Sequence, residues 1–149
     1  MKELKLTEYQ WKELVDSYDV RMDGVEFYLN VENGELLTLT EWGEEEEEIE
    51  LRDLIEEGFN EIYYALPQRE SYEGYQDMVD FTETVSDEQL SQRLNNVLSG
   101  GKKIFRRFKD TLAVNDEEMQ RYYAFCGARN EERVKEWLKE NGFEVQIVK

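Results

Sequence analysis

Apolar side chains recur along this chain with two different periods, and the switches between them mark out its elements. Trp11, Leu14, Val15 and Tyr18 follow at i, i+3, i+4 and i+7, which predicts a helix with one apolar face. Thr7 and Gln10 frame its start as a capping box. After Gly24 the period falls to two: Val25, Phe27, Leu29 and Val31 point one way, and Glu26, Tyr28 and Asn30 the other. Asn33-Gly34 then signals a tight type I′ turn into a second strand carrying Leu37 and Leu39. The alternation predicts a sheet with one apolar and one wet face.

Residues 43–50 form an acidic segment that includes five consecutive glutamates, Glu44–Glu48. Their mutual repulsion reads as a flexible loop or a solvated helix start. Leu51, Leu54 and Ile55 make a short helical stripe that stops at Gly58. Glu61 to Leu66 is rich in strand formers and ends at Pro67, so a third strand is expected there. From Arg69 to Val85 a helix is predicted with Tyr72, Tyr75, Met78, Val79 and Thr82 on its packed side, although Gly74 interrupts it. Ser86 to Gln89 reads as a second capping box, followed by an apolar face of Leu90, Leu94, Val97 and Leu98.

Ser99-Gly100-Gly101 ends that helix, and another begins at Lys102. Asn115 or Asp116 caps a further helix through Tyr122, Tyr123 and Phe125, which Gly127 should break. Asn130 caps a last helix with Val134, Trp137 and Leu138 on one face, and Asn141-Gly142 turns into a final strand with Phe143, Val145 and Ile147 alternating. The fold class expected is α+β. Its sheet is small and mainly antiparallel, made of the hairpin, the third strand and the C-terminal strand, with the helices grouped between the last two. A length of 149 residues predicts a single domain, 1–149.

Composition narrows the chemistry. There is no histidine, which removes the commonest general base, the Ser-His and Cys-His pairs and the zinc sites that need imidazole. With no recognisable catalytic motif either, the reading leans against an enzyme, and no cofactor is expected. Cys126 is the one cysteine, so no disulfide forms within the chain; a reduced, cytoplasmic setting fits, and the thiol reads as buried and inert. The first ten residues lack an apolar signal region, and no long apolar run exists to cross a membrane.

Charge is unevenly placed. Residues 1–99 hold 27 acids and 7 bases, whereas residues 100–149 hold 9 acids and 11 bases. The field of a chain with net charge −18 repels nucleic acid and anionic membranes at long range. An anion site must therefore act within a Debye length, about 8–10 Å. The acidic body reads as a source of solubility, or as an acidic mimic of nucleic acid if its carboxylates are ordered.

Lys102, Lys103, Arg106, Arg107 and Lys109 form the candidate site for a partner or an anion. On a helix, Ile104, Phe105, Phe108 and Leu112 fall within about 100° of arc and the cations take most of the rest, so both phenylalanines read as core anchors. The stripe is either a solvated face, free or paired with the protein's own acids, or a site for phosphate or an acidic partner. The glycines before it lead into a helix N-terminus, but the P-loop pattern is absent. Asp77, Asp80 and Glu83 share helical faces in pairs and are the candidates for a hard cation, against the plainer reading of an exposed acidic face.

Three stretches carry a family resemblance: LPQRESYEGYQDMVDFTETVSDEQL, IFRRFKDTL and RYYAFCGARNEERVKEWLKENGF. In that order, from Leu66 to Gly142, the chain resembles the bacterial Uncharacterised Protein Family 0158, with Phe105 to Asp110 the most specific part. The family often has Trp-Tyr at Tyr122-Tyr123 and a more charged stretch at Cys126-Gly127-Ala128. The resemblance implies a bacterial cytosolic protein and no particular activity. The function expected is a non-enzymatic protein-binding or regulatory module whose partner is another protein. The alternative is a nucleic-acid-associated protein using the basic helix 102–109.

Overall fold

The computed structural model describes residues 1–20, 22–43 and 45–149. The fold is α+β, with six helices, a three-stranded antiparallel sheet and a two-stranded parallel sheet among the described residues. The chain divides into two compact units, residues 1–69 with 130–149, and residues 70–129, where its length suggested one domain.

The first unit opens with β1 (Lys2–Thr7), a strand that the sequence reading did not assign. Only Leu4 and Leu6 alternate in it, too short a pattern to stand out, yet both are buried. Thr7 ends the strand and caps α1 (Glu8–Asp19) through the expected reciprocal box with Gln10. β2 (Val25–Asn30) and β3 (Leu36–Thr40) make the hairpin. Its turn is wider than a two-residue type I′ turn. Asn30 Oδ1 accepts from the Glu32 and Asn33 amides at 2.9 and 3.3 Å, and Gly34, at φ +77°, donates its amide to Asn30 O at 2.8 Å.

Helix α2 (Glu46–Glu57) starts inside the acidic run, so residues 46–50 take the helix-start alternative and not the loop expected for 43–50; Glu44 lies outside the described residues. Three glutamates occupy the first turn, where free N–H groups and the helix dipole favour negative charge. Glu48 is fixed further, accepting from the Thr40 amide at 2.6 Å and its hydroxyl at 2.8 Å, and these bonds hold its carboxyl below the usual range.

β4 (Tyr63–Ala65) completes the antiparallel sheet in the order β3-β2-β4. β5 (Phe143–Val148) does not join it. Contrary to the sequence reading, which placed the C-terminal strand in that sheet, it pairs in parallel with β1, Lys2 opposite Phe143 and Thr7 opposite Val148. Leu29 enters the main core with Leu4, Leu14, Val134 and Leu138, while Tyr28 faces the other way onto Leu39, Ile55 and Tyr63. The face expected to be wet is thus covered by α2. Burial pushes the Tyr28 phenol up to about 12, helped by its 2.5 Å bond to Glu26 Oε2.

The second unit is helical: α3 (Ser71–Glu83), α4 (Glu88–Leu98), α5 (Ile104–Leu112) and α6 (Asp116–Glu140) up to Arg129. Its core gathers Met78, Phe81, Leu90, Leu94, Phe108, Leu112 and Tyr122. Asp87 caps α4 and the predicted apolar face is buried. On α3 the buried stripe is Gly74, Asp77, Met78, Phe81 and Thr82, so Tyr72 and Tyr75 turn outward, contrary to expectation.

Gly127 does not break α6, and Asn130 is buried within the helix instead of capping a new one, accepting from Arg133 at 3.0 Å. Glycine in a helix costs about 1 kcal/mol relative to alanine, and the side chains buried along a 25-residue helix outweigh that. A Cβ at Gly127 would meet nothing within 4 Å. Gly127→Ala should therefore raise stability by about 0.5–1 kcal/mol, read as a higher midpoint in urea. Tyr28 supplies a pH test. An unfolded chain releases that proton near pH 10 and the folded one near 12, so its contribution is complete below 10 and lost as pH rises through the window. The stability gap between wild type and Tyr28→Phe should narrow from pH 10 to 12, measured by denaturant titration.

Candidate functional site

The basic stripe is carried by α5 and the loop before it. Gly100 and Gly101 hold φ +140° and +109°, and Lys103 takes the left-handed conformation at φ 57° as N-cap, with no side-chain capping bond. This sharp approach is held by Arg107, whose Nη1 reaches back to Gly100 O at 3.1 Å and Lys102 O at 3.3 Å. A Cβ at Gly101 would come within 2.8 Å of that nitrogen. Arg107 is therefore a brace of the loop as much as a cation of the stripe.

Phe108 and Leu112 are fully buried, and Phe108 packs on Tyr122 with ring centroids 5.3 Å apart. Phe105 is different. It lies at the margin of the apolar arc, about 100° from Ile104 and next to Lys109, and remains 38% exposed. The expectation that both phenylalanines anchor the core holds for Phe108 alone.

Lys102, Lys103, Arg106, Arg107 and Lys109 are all exposed. None of them forms an ion pair among the described residues; the pairs found join Arg69 to Asp19, Arg121 to Glu118, and Arg129 to Asp77 and Asp80. Lys102 and Lys103 precede the helix, and Lys109 lies in its last turn, where the dipole favours a cation. The result is a cationic face, carried on a helix packed through Phe108 and Leu112, with one partly exposed aromatic ring.

The acidic candidates are placed otherwise. Asp77 is fully buried, and Arg129 Nη1 reaches its Oδ1 at 3.3 Å and Asp80 Oδ2 at 2.6 Å. Gln76 also donates to Asp80, and that bond, then Arg129, holds the Asp80 carboxyl below the usual range. The guanidinium also lies over the Phe125 ring, 4.9 Å from its centroid. So the cation serving Asp77 and Asp80 is a protein side chain, and Glu83 is exposed outside this cluster. Among the described residues no group of acids and cysteine is placed to hold a metal ion. Sequence reasoning missed Arg129, which is 52 residues from Asp77 and carries no local signal of the contact. Cys126 is half-buried at the edge of the helical core.

With this geometry in view, the model of an uncharacterised protein family, UPF0158, matches residues 6–149. The chain belongs to that family. Comparison with curated proteins and with solved structures gives no match. No helix among the described residues of this UPF0158 member is long and apolar enough to cross a membrane.

Removing Arg129 would leave the buried Asp77 without its guanidinium. Arg129→Ala should cost about 3 kcal/mol. Arg129→Lys should recover part of that loss. A urea titration of the three proteins checks both, and equal midpoints would show that the pair contributes nothing.

Proposed function

We propose that this UPF0158 member is a bacterial cytosolic protein that acts by binding another protein, without catalysis, and that α5 presents the contact face. One observation supports the reading above all. Lys102, Lys103, Arg106 and Lys109 are exposed and free of ion pairs among the described residues, and they surround a half-exposed Phe105. Such a cluster of cations is complementary to carboxylates or phosphates on a partner, and an exposed ring among them supplies an apolar anchor. The partner complementary to such a face is an acidic surface with a recess for one aromatic ring. The helix is held in place by Phe108 and Leu112, so little ordering cost falls on binding.

Phe105 also favours a second reading. A ring exposed within a cationic stripe can stack on an unpaired base, as in proteins that hold single strands. Salt separates the two. Phosphate contacts released from a single strand give a log–log slope of about −0.7 per contact. A protein interface with an apolar centre is less sensitive.

The test draws the tagged chain through a bacterial lysate with and without nuclease. A protein retained in both should be lost from the double variant Arg106→Glu, Lys109→Glu. Phe105→Ala should weaken it about tenfold, or roughly 1.4 kcal/mol, with circular dichroism unchanged. Retention that disappears with nuclease assigns nucleic acid instead. Retention that survives every substitution removes α5 from the interface.

A further inference from the structure

Unit 1 carries a second feature, independent of α5. Around Glu26, three adjoining cavities of about 460, 410 and 140 Å³ open to solvent: the first lies along β2 beside Phe59, Ala65, Leu66 and Gln68, the other two lie between α2 and the β2-β3 face it covers, and Glu26 lines all three. Their apolar walls come from Phe27, Leu39, Ile55, Phe59 and Leu66. Their polar walls are strongly one-sided: Asp23, Glu26, Glu41 and Glu56 against Arg52, the one cation among the described lining residues. Arg52 is itself occupied, donating from Nη2 to Thr40 O at 2.8 Å. The Tyr28 hydroxyl donates to Glu26 Oε2 at 2.5 Å and fixes that carboxylate in the shared wall.

Large apolar side chains stand out around this groove for structural reasons. Phe59 is 50% exposed because the chain after Gly58 closes into a tight turn, in which the Glu61, Ile62 and Tyr63 amides all point to Gly58 O at 2.8–3.1 Å. Trp42 is 62% exposed and its ring lies over Gly24, where a Cβ would come within 2.7 Å of Cζ3. Gly24 has φ +81°, so both the ring and the backbone require glycine there. Met22 adds a third exposed apolar side chain. Exposed aromatic and apolar anchors beside a recess are the usual makings of a binding hot spot.

We infer that this groove takes a basic peptide segment of a partner protein, one that combines arginine or lysine with large apolar side chains. Charge complementarity selects the occupant. Four carboxylates at an apolar groove leave an acidic or neutral segment poorly matched, and the unit around them holds 25 acids and 10 bases. The shape favours a peptide over a small molecule. A drug-sized ligand needs most of its surface enclosed, whereas three open recesses side by side offer separate seats for successive side chains.

The probe is a fluorescein-labelled octapeptide alternating arginine and leucine, read by anisotropy on the full chain at about 0.15 M salt, where long-range attraction is screened. Saturable binding is expected. Glu41→Arg and Phe59→Ala should each weaken it at least tenfold, and both positions are exposed, so circular dichroism should stay native. Glu13→Arg, on α1 and outside the groove, should leave it unchanged. Equal loss from Glu13→Arg, or equal binding of an arginine-serine octapeptide, would assign the attraction to general charge and overturn the proposal. So would a dimer in sedimentation that vanishes on Arg106→Glu and equally on Glu41→Arg, because the groove would then hold the basic helix of a second copy.

Discussion

Backbone pairing between β1 and β5 ties the first residues of the chain to the last, and the sheet-bearing unit depends on it. A parallel pair cannot be closed by a short turn, so almost the whole chain is the connection between its two strands. Two strands alone are marginal in water. Their stability comes from what they bury: Leu4, Leu6 and Phe143 join Trp11, Leu14, Val134 and Leu138 in one apolar cluster. The segment from Glu70 to Arg129 is thereby an insertion in the sequence of that unit, with a core of its own.

The charge follows this division. Unit 1 holds 25 acids and 10 bases, and residues 70–129 hold 11 acids and 8 bases. In unit 1 the acids are used locally, in the first turn of α2 and in the bonds from Thr40 to Glu48. In unit 2 the one fully buried acid is served by Arg129. The stripe on α5 has no such compensation among the described residues, and its density, five cations in eight positions, sets it apart from the scattered surface cations elsewhere.

Much of the fold was legible in local pattern. The Thr7–Gln10 box, the 25–40 hairpin, the third strand, the apolar face of α4 and the final strand all appear where the periodicity placed them. The misses share a cause: a local preference overruled by a distant contact. β1 offers only two alternating leucines and becomes a strand because β5 pairs with it. Gly127 reads as a helix stop, yet the side chains on both sides of it bury themselves and carry α6 through. Tyr72 and Tyr75 set the wrong phase for α3 because Asp77 does not read as a core residue. Of the candidate site, the cations were legible, but the bracing role of Arg107 and the exposure of Phe105 were not.

By itself the sequence determined the α+β class, the family, the exclusion of histidine chemistry and the position of the basic stripe, because each rests on residue type and spacing. Only the tertiary structure decided which strand pairs with which, that Arg129 stands where a metal ion was considered, and that acids and apolar rings converge on one groove. These are contacts between residues far apart in the chain. Periodicity reports which face of an element is buried and says nothing about what buries it.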